Sequence, residues 1–161
     1  MAVMAASRAN IQYLSGLMDA QMISCDKINQ LRQVRFLKDK VHTLELMQQH
    51  AALLRPRFDA FLTELEKLRS LEIARWTQPQ GGYFISLYTL PGCAKRTVEL
   101  CRQAGLVMTQ AGAAYPYGKD PEDRHIRIAP SYPALEDVKT AAKVFCTCLK
   151  LAALEKQNLT D

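Results

Sequence analysis

Several signals are missing from this chain of 161 residues, and each absence removes a class of function. The five cysteines include no CxxC pair, and the three histidines lie far from any cysteine pair, so zinc-site spacing is absent and no metal is expected. Their odd number and scatter fit free, buried thiols in a reducing cytoplasm. No apolar stretch reaches membrane-spanning length. The opening Met1–Ser7 is apolar but short and has no basic region before it, which argues against a secretory leader. A net charge of +5 and a pI near 9.0 would permit a polyanion partner. However, the cations alternate with acids, as in Glu64–Arg69, and no basic run with interleaved aromatics occurs, so no nucleic-acid partner is expected. There is no internal repeat and no low-complexity linker. What remains is 48% hydrophobic and 23% charged, enough for one domain with a real core and too short for two comfortable ones.

Periodicity orders the first half as helices. Val3, Met4, Ile11 and Leu14 recur near 3.6 spacing, predicting a helix over 1–15 already under way at Met1 with no capping residue before it. Such a start suggests a chain whose beginning is missing. Asp26 or Ser24 can cap a short helix through Ile28, Leu31, Val34 and Leu37. Asp39 can cap the longest helix, about Lys40 to Leu68, whose apolar positions repeat at three and four. Pro56 removes an amide donor and should kink it near Ala52–Arg55. This helix is expected to pack along more than one layer.

The period then changes. Leu71–Thr77 and Tyr83–Tyr88 predict two strands joined through a Gly81-Gly82 turn, where the glycines permit a tight turn and close backbone packing. Cys93–Ala104 predicts a helix closed by Gly105, Leu106–Thr109 a third strand, His125–Ala129 a fourth, and Leu135–Leu154 a terminal helix. The resulting fold class is α/β: a small sandwich with a sheet of three or four strands and helices packed on one side.

One segment carries chemistry. In His125-Ile-Arg-Ile-Ala-Pro-Ser131, Arg127 sits between β-formers just after a Gly/Pro-rich loop, Ala111–Pro121. Such an arginine is either a core charge paired with Asp120 or Glu122, or a planar fork held out for an anionic group.

Four stretches appear in order: Asp26–Phe36, Pro79–Leu87 with its GGYF, Leu90–Arg96, and Tyr115–Pro121 followed by Ile126–Pro130 with its RIAP. Together they resemble the C-terminal part of the fold-type I, pyridoxal-phosphate-dependent aminotransferases, within a bacterial aspartate aminotransferase subgroup, across almost the whole chain. The resemblance implies a homodimeric enzyme acting on amino-acid and 2-oxo-acid substrates. Residues 1–38 would then be the trailing part of the large cofactor domain, and 39–161 the small domain with its long interdomain helix. It implies that Arg127 binds the substrate α-carboxylate, and that Tyr83, Tyr115 and Tyr117 are candidates to line the cleft. It also implies that the lysine carrying pyridoxal 5'-phosphate lies upstream, leaving no catalytic group here and an inactive chain by itself.

Ser24-Cys-Asp-Lys27 imitates an S-x-x-K motif, with Arg35 at a spacing that suits a cofactor phosphate. Asp26 beside Lys27 favours the ammonium, whereas a nucleophilic lysine must lose its proton, so a solvated first-turn lysine is the better reading. Arg32 and Arg35, three apart on one helix face, are candidates for an anion contact or a surface ion pair. Phe84 is expected in the core; His125 and the cysteines receive no role. Two alternatives stay open: a non-catalytic binding or regulatory domain, and a fold-type I enzyme of other chemistry, such as a decarboxylase, a lyase or a transcriptional regulator.

Overall fold

Side-chain caps set the helices of the first half. The computed structural model describes residues 4–22 and 24–158. Ser7 is in extended conformation and its hydroxyl accepts the Asn10 amide at 3.4 Å, starting α1 over Arg8–Gln21. The expectation of an uncapped helix running from Met1 is therefore corrected, since residues 4–7 are not helical and residues 1–3 lie outside the described set. The Asp26 carboxylate accepts the Asn29 amide at 2.9 Å and opens α2, Lys27–Leu37. Asp39 does the same for His42 at 2.9 Å and opens α3, Lys40–Glu66, which continues through Pro56. Carboxylates at these positions satisfy amides that have no partner within the helix.

Two compact units divide the chain, Met1–Gln49 and His50–Asp161, with the division inside α3. In the first unit no described residue of α1 or α2 is buried, and Ile28, Leu31, Val34 and Phe36 are exposed. The buried residues of α3 are Phe58, Phe61 and Leu65, all beyond its midpoint.

In the second unit the chain passes a 3-10 turn at Arg69–Leu71 and enters β1, Ala74–Trp76. It continues as β2, Ile85–Thr89; α4, Ala94–Gln103; β3, His125–Ile128; and α5, Leu135–Asn158. The sheet has order β1-β2-β3 and both pairings are antiparallel. Ile85, Leu87, Ile126 and Ile128 point to one face, where they join Leu65, Leu100, Phe145 and Leu149 in a single core cluster. The helices thus cover one side of the sheet, because only that side alternates apolar residues.

Three expectations change. Leu106–Thr109 is not a strand: Val107 is 87% exposed, and no neighbouring strand pairs with the segment. β-propensity is realised only where a partner edge exists. Phe84 is 47% exposed rather than part of the core. Gly82 takes φ 84° in the β1–β2 connection, and nothing lies within 4 Å of the position a Cβ would fill at Gly81 or Gly82, so the pair serves the turn and not close packing.

Cys93, Cys101, Cys146 and Cys148 are buried free thiols and Cys25 is exposed. Burial pushes Cys101 and Cys146 up to about 12, far from the range of a nucleophile. Among the described residues, no helix is long and apolar enough to cross a membrane.

Candidate functional site

The face of the sheet turned away from the core is polar and aromatic. The antiparallel register sets Arg75 opposite Tyr88, Tyr88 opposite His125, and Ser86 opposite Arg127. All five side chains project to that one face because successive residues alternate sides. Arg75 lies over the Tyr88 ring at 5.1 Å, and the Tyr88 and His125 rings are 5.0 Å apart.

Arg127 is half-buried, and its guanidinium lies 4.5 Å above the Phe84 ring. Among the described residues it forms no ion pair, and its Nε is buried without a hydrogen-bond partner. Neither acid that could have paired with it does so. Asp120 accepts the main-chain amides of Arg124 and His125, both at 2.7 Å, and that of Glu122 at 3.2 Å. Glu122 meets Arg124 at 3.2 Å. Burial raises the proton affinity of the Asp120 carboxyl, but the three amides outweigh it and leave its pKa below the usual value. The internal salt bridge of the alternative reading is therefore absent among these groups. What remains is a stacked, charged fork with capacity for a further acceptor.

The loop ahead of β3 is folded tightly against the strand. The Gly112 amide donates to the His125 carbonyl at 2.9 Å, with φ 75° at Gly112. A Cβ there would meet the Gly118 carbonyl oxygen at 3.0 Å and the Asp120 Cβ at 3.2 Å. Gly112→Ala is accordingly expected to destabilise the chain by about 1–3 kcal/mol, through a left-handed backbone and a clash with main chain. A urea midpoint equal to that of the unsubstituted chain would show that the loop yields freely.

Of the tyrosines singled out in the sequence, Tyr115 stands against the polar face, 5.9 Å from the His125 ring in an edge-on arrangement. Burial, then the Asp120 charge, pushes its phenol pKa up. Tyr83 is 53% exposed and Tyr117 is 96% exposed, within a 3-10 turn at Pro116–Gly118. Arg32 and Arg35 are exposed on α2 and make no ion pair among the described residues. Sequence reasoning gives no role to Ser86, Tyr88 or His125, and prefers the core for Phe84 over a place bordering the active-site mouth beside Tyr83. Their signal was available as alternation, since Phe84, Ser86 and Tyr88 interleave with Ile85 and Leu87, but only the register brings them to Arg127. A hollow of about 360 Å³ lies along β1, lined by Arg69, Arg75, Trp76, Tyr88 and Arg124, and Arg127 does not line it.

The family model described as aspartate amino-transferase matches residues 1–160. The chain belongs to the aspartate aminotransferase family. A Mycolicibacterium smegmatis protein named as an aminotransferase is 47% identical over 152 residues, 93% of this chain and 35% of that protein. The aspartate aminotransferase of Corynebacterium glutamicum is 40% identical over 150 residues, 92% of this chain and 35% of that protein. The crystal structure of an aspartate transaminase from the same bacterium superposes with a TM-score of 0.82 at 39% identity, covering 93% of this chain and 36% of the other. The chain thus spans about a third of the length of the curated relatives it matches. The three-stranded antiparallel sheet with helices on one side is part of the family's fold.

Proposed function

We propose that this chain is the C-terminal part of a pyridoxal-phosphate-dependent aminotransferase acting on aspartate and 2-oxoglutarate, and that Arg127 binds the substrate α-carboxylate. The observation that carries the reading is the unpaired guanidinium, half-buried on the polar face and stacked on Phe84. Asp120 and Glu122, the acids of the preceding loop, are committed elsewhere. A carboxylate docking there would receive two parallel, charge-assisted bonds, worth a few kcal/mol where water is partly excluded. That bond would fix the amino acid's orientation, and Phe84 would hold the fork in plane. Tyr115 would close the same corner by packing on His125.

On this reading residues 1–38 trail from the cofactor-binding domain and 39–161 form the small domain, in an enzyme that works as a homodimer. The exposed apolar residues of α1 and α2 support a further surface packed on them in that assembly. Pyridoxal phosphate, when bound, supplies an electron sink for the substrate's Cα. Lys27 does not fit the lysine that carries it. It is exposed at the first position of α2, beside the capping Asp26, whereas a carrier amine works desolvated. Arg32 and Arg35, three apart and exposed on α2, would be candidates to meet an anion such as the cofactor phosphate. The carrier lysine belongs to residues outside the chain.

Amino transfer and its rivals separate in the cofactor spectrum of the complete enzyme. L-aspartate is expected to convert the bound cofactor to its amine form, and 2-oxoglutarate to restore the starting spectrum. Release of carbon dioxide or ammonia without restoration by the oxo acid would mark a decarboxylase or a lyase, and no response to any amino acid a binding domain.

A further inference from the structure

The polar face holds one buried titratable ring to which carboxylate binding assigns no task. His125 is 3% exposed although it lies on the face opposite the hydrophobic core. Its main chain is fixed on both sides: the amide donates to Asp120 Oδ2 at 2.7 Å, and the carbonyl accepts from Gly112 at 2.9 Å. Tyr88 at 5.0 Å and Tyr115 at 5.9 Å hold the ring itself. Its Nε2 stands 3.4 Å from the hydroxyl of Ser86, the residue paired directly with Arg127. Its Nδ1, like the Arg127 Nε, is buried and has no hydrogen-bond partner. Two orphaned polar atoms two residues apart on one strand face are unusual, because nearly all buried polar groups are satisfied.

We infer that His125 is a positioning residue for Arg127, setting the guanidinium's place through Ser86, and that it exchanges charge information with whatever carboxylate docks there. The inference rests on the carboxylate-binding reading of Arg127. The charged and titratable groups around the ring are few. Arg127 lies on the same strand, Asp120 under its amide, Tyr88 with Arg75 above it, and Tyr115 on the loop; Arg124 and Glu122 pair with each other ahead of the strand. Burial lowers the imidazole's affinity for a proton; the Asp120 charge opposes this and the Arg127 charge adds to it, so the ring's pKa falls below its usual value. A carboxylate on Arg127 cancels the repulsion that Arg127 exerts and so raises the proton affinity of His125. By linkage, carboxylate affinity rises as the pH falls through the His125 titration.

The test follows the His125 ring signals of the full chain by NMR, assigned by their loss in His125→Asn. In Arg127→Gln the His125 titration is expected to move up, and succinate is expected to move it up in the unsubstituted chain but not in that variant. An unmoved His125 titration in Arg127→Gln overturns the inference. Succinate displacing the Arg127 Nε–H signal while His125 stays unmoved overturns the inference and leaves the carboxylate reading standing. An Arg127 signal indifferent to succinate overturns the reading itself. Two substitutions then separate positioning from packing. His125→Asn keeps a neutral hydrogen-bonding group and should retain succinate affinity. His125→Phe keeps the ring and should lose on the order of fivefold, the worth of one net hydrogen bond, at an unchanged urea midpoint. Equal affinity in both variants overturns the positioning role.

Discussion

Replacing Arg127 by lysine in the complete enzyme is expected to lower kcat/KM for the amino-acid substrate by about a hundredfold, or about 2.7 kcal/mol, while the fold is retained. Lysine keeps the charge but loses the planar fork and the flat face that rests on Phe84, so one directed bond replaces two and the ammonium stays partly hydrated. Arg127→Met, which removes the charge as well, should lose more. Stability should not follow activity. The guanidinium makes no ion pair among the described residues, and its Nε is already an unsatisfied buried donor, so removing it costs the folded chain little. Near-normal kcat/KM in Arg127→Lys, measured with a urea midpoint showing intact folding, would withdraw the carboxylate assignment.

Phe145→Ala should be the most damaging single change to the fold, at about 3–5 kcal/mol. Phe145 is fully buried on α5, and its ring sits 5.6 Å from that of Phe61 on α3. It belongs to the core cluster that also holds the apolar residues of β2 and β3. Truncation removes the transfer free energy of the ring and leaves a cavity between two helices and a sheet that close only partly. A domain of this size has on the order of 5–15 kcal/mol in total, so the variant should unfold at a much lower urea concentration with an unchanged slope. Phe145→Leu retains most of the volume and should lose much less. A loss below about 1 kcal/mol for the alanine variant would mean that α5 is not the element that organises the core.

The helix boundaries were legible because capping is local. Asp26 and Asp39 each lie three residues before the amide they satisfy, and that distance is written in the chain. Ser7 obeys the same rule, but the apolar residues before it extend the periodic pattern past the true start. The alternation of β2 was equally plain, and so was the oddity of a charged Arg127 between two isoleucines. Leu106–Thr109 shows the limit: its residues favour a strand, yet no edge receives it, and a strand without a neighbour leaves its amides to water.

The sequence by itself determined where helices begin, which residues of each strand share a side, and which family the motifs resemble. Only the tertiary structure decided that Asp120 is spent on three amides, that Phe84 leaves the core to meet Arg127, and that His125 stands beside Ser86. The reason is one of range. Caps and alternation act over two to four residues, whereas the pairing that sets Ser86 opposite Arg127 joins positions about forty residues apart. That pairing is fixed by the core packed against the opposite face, and no window along the chain contains it.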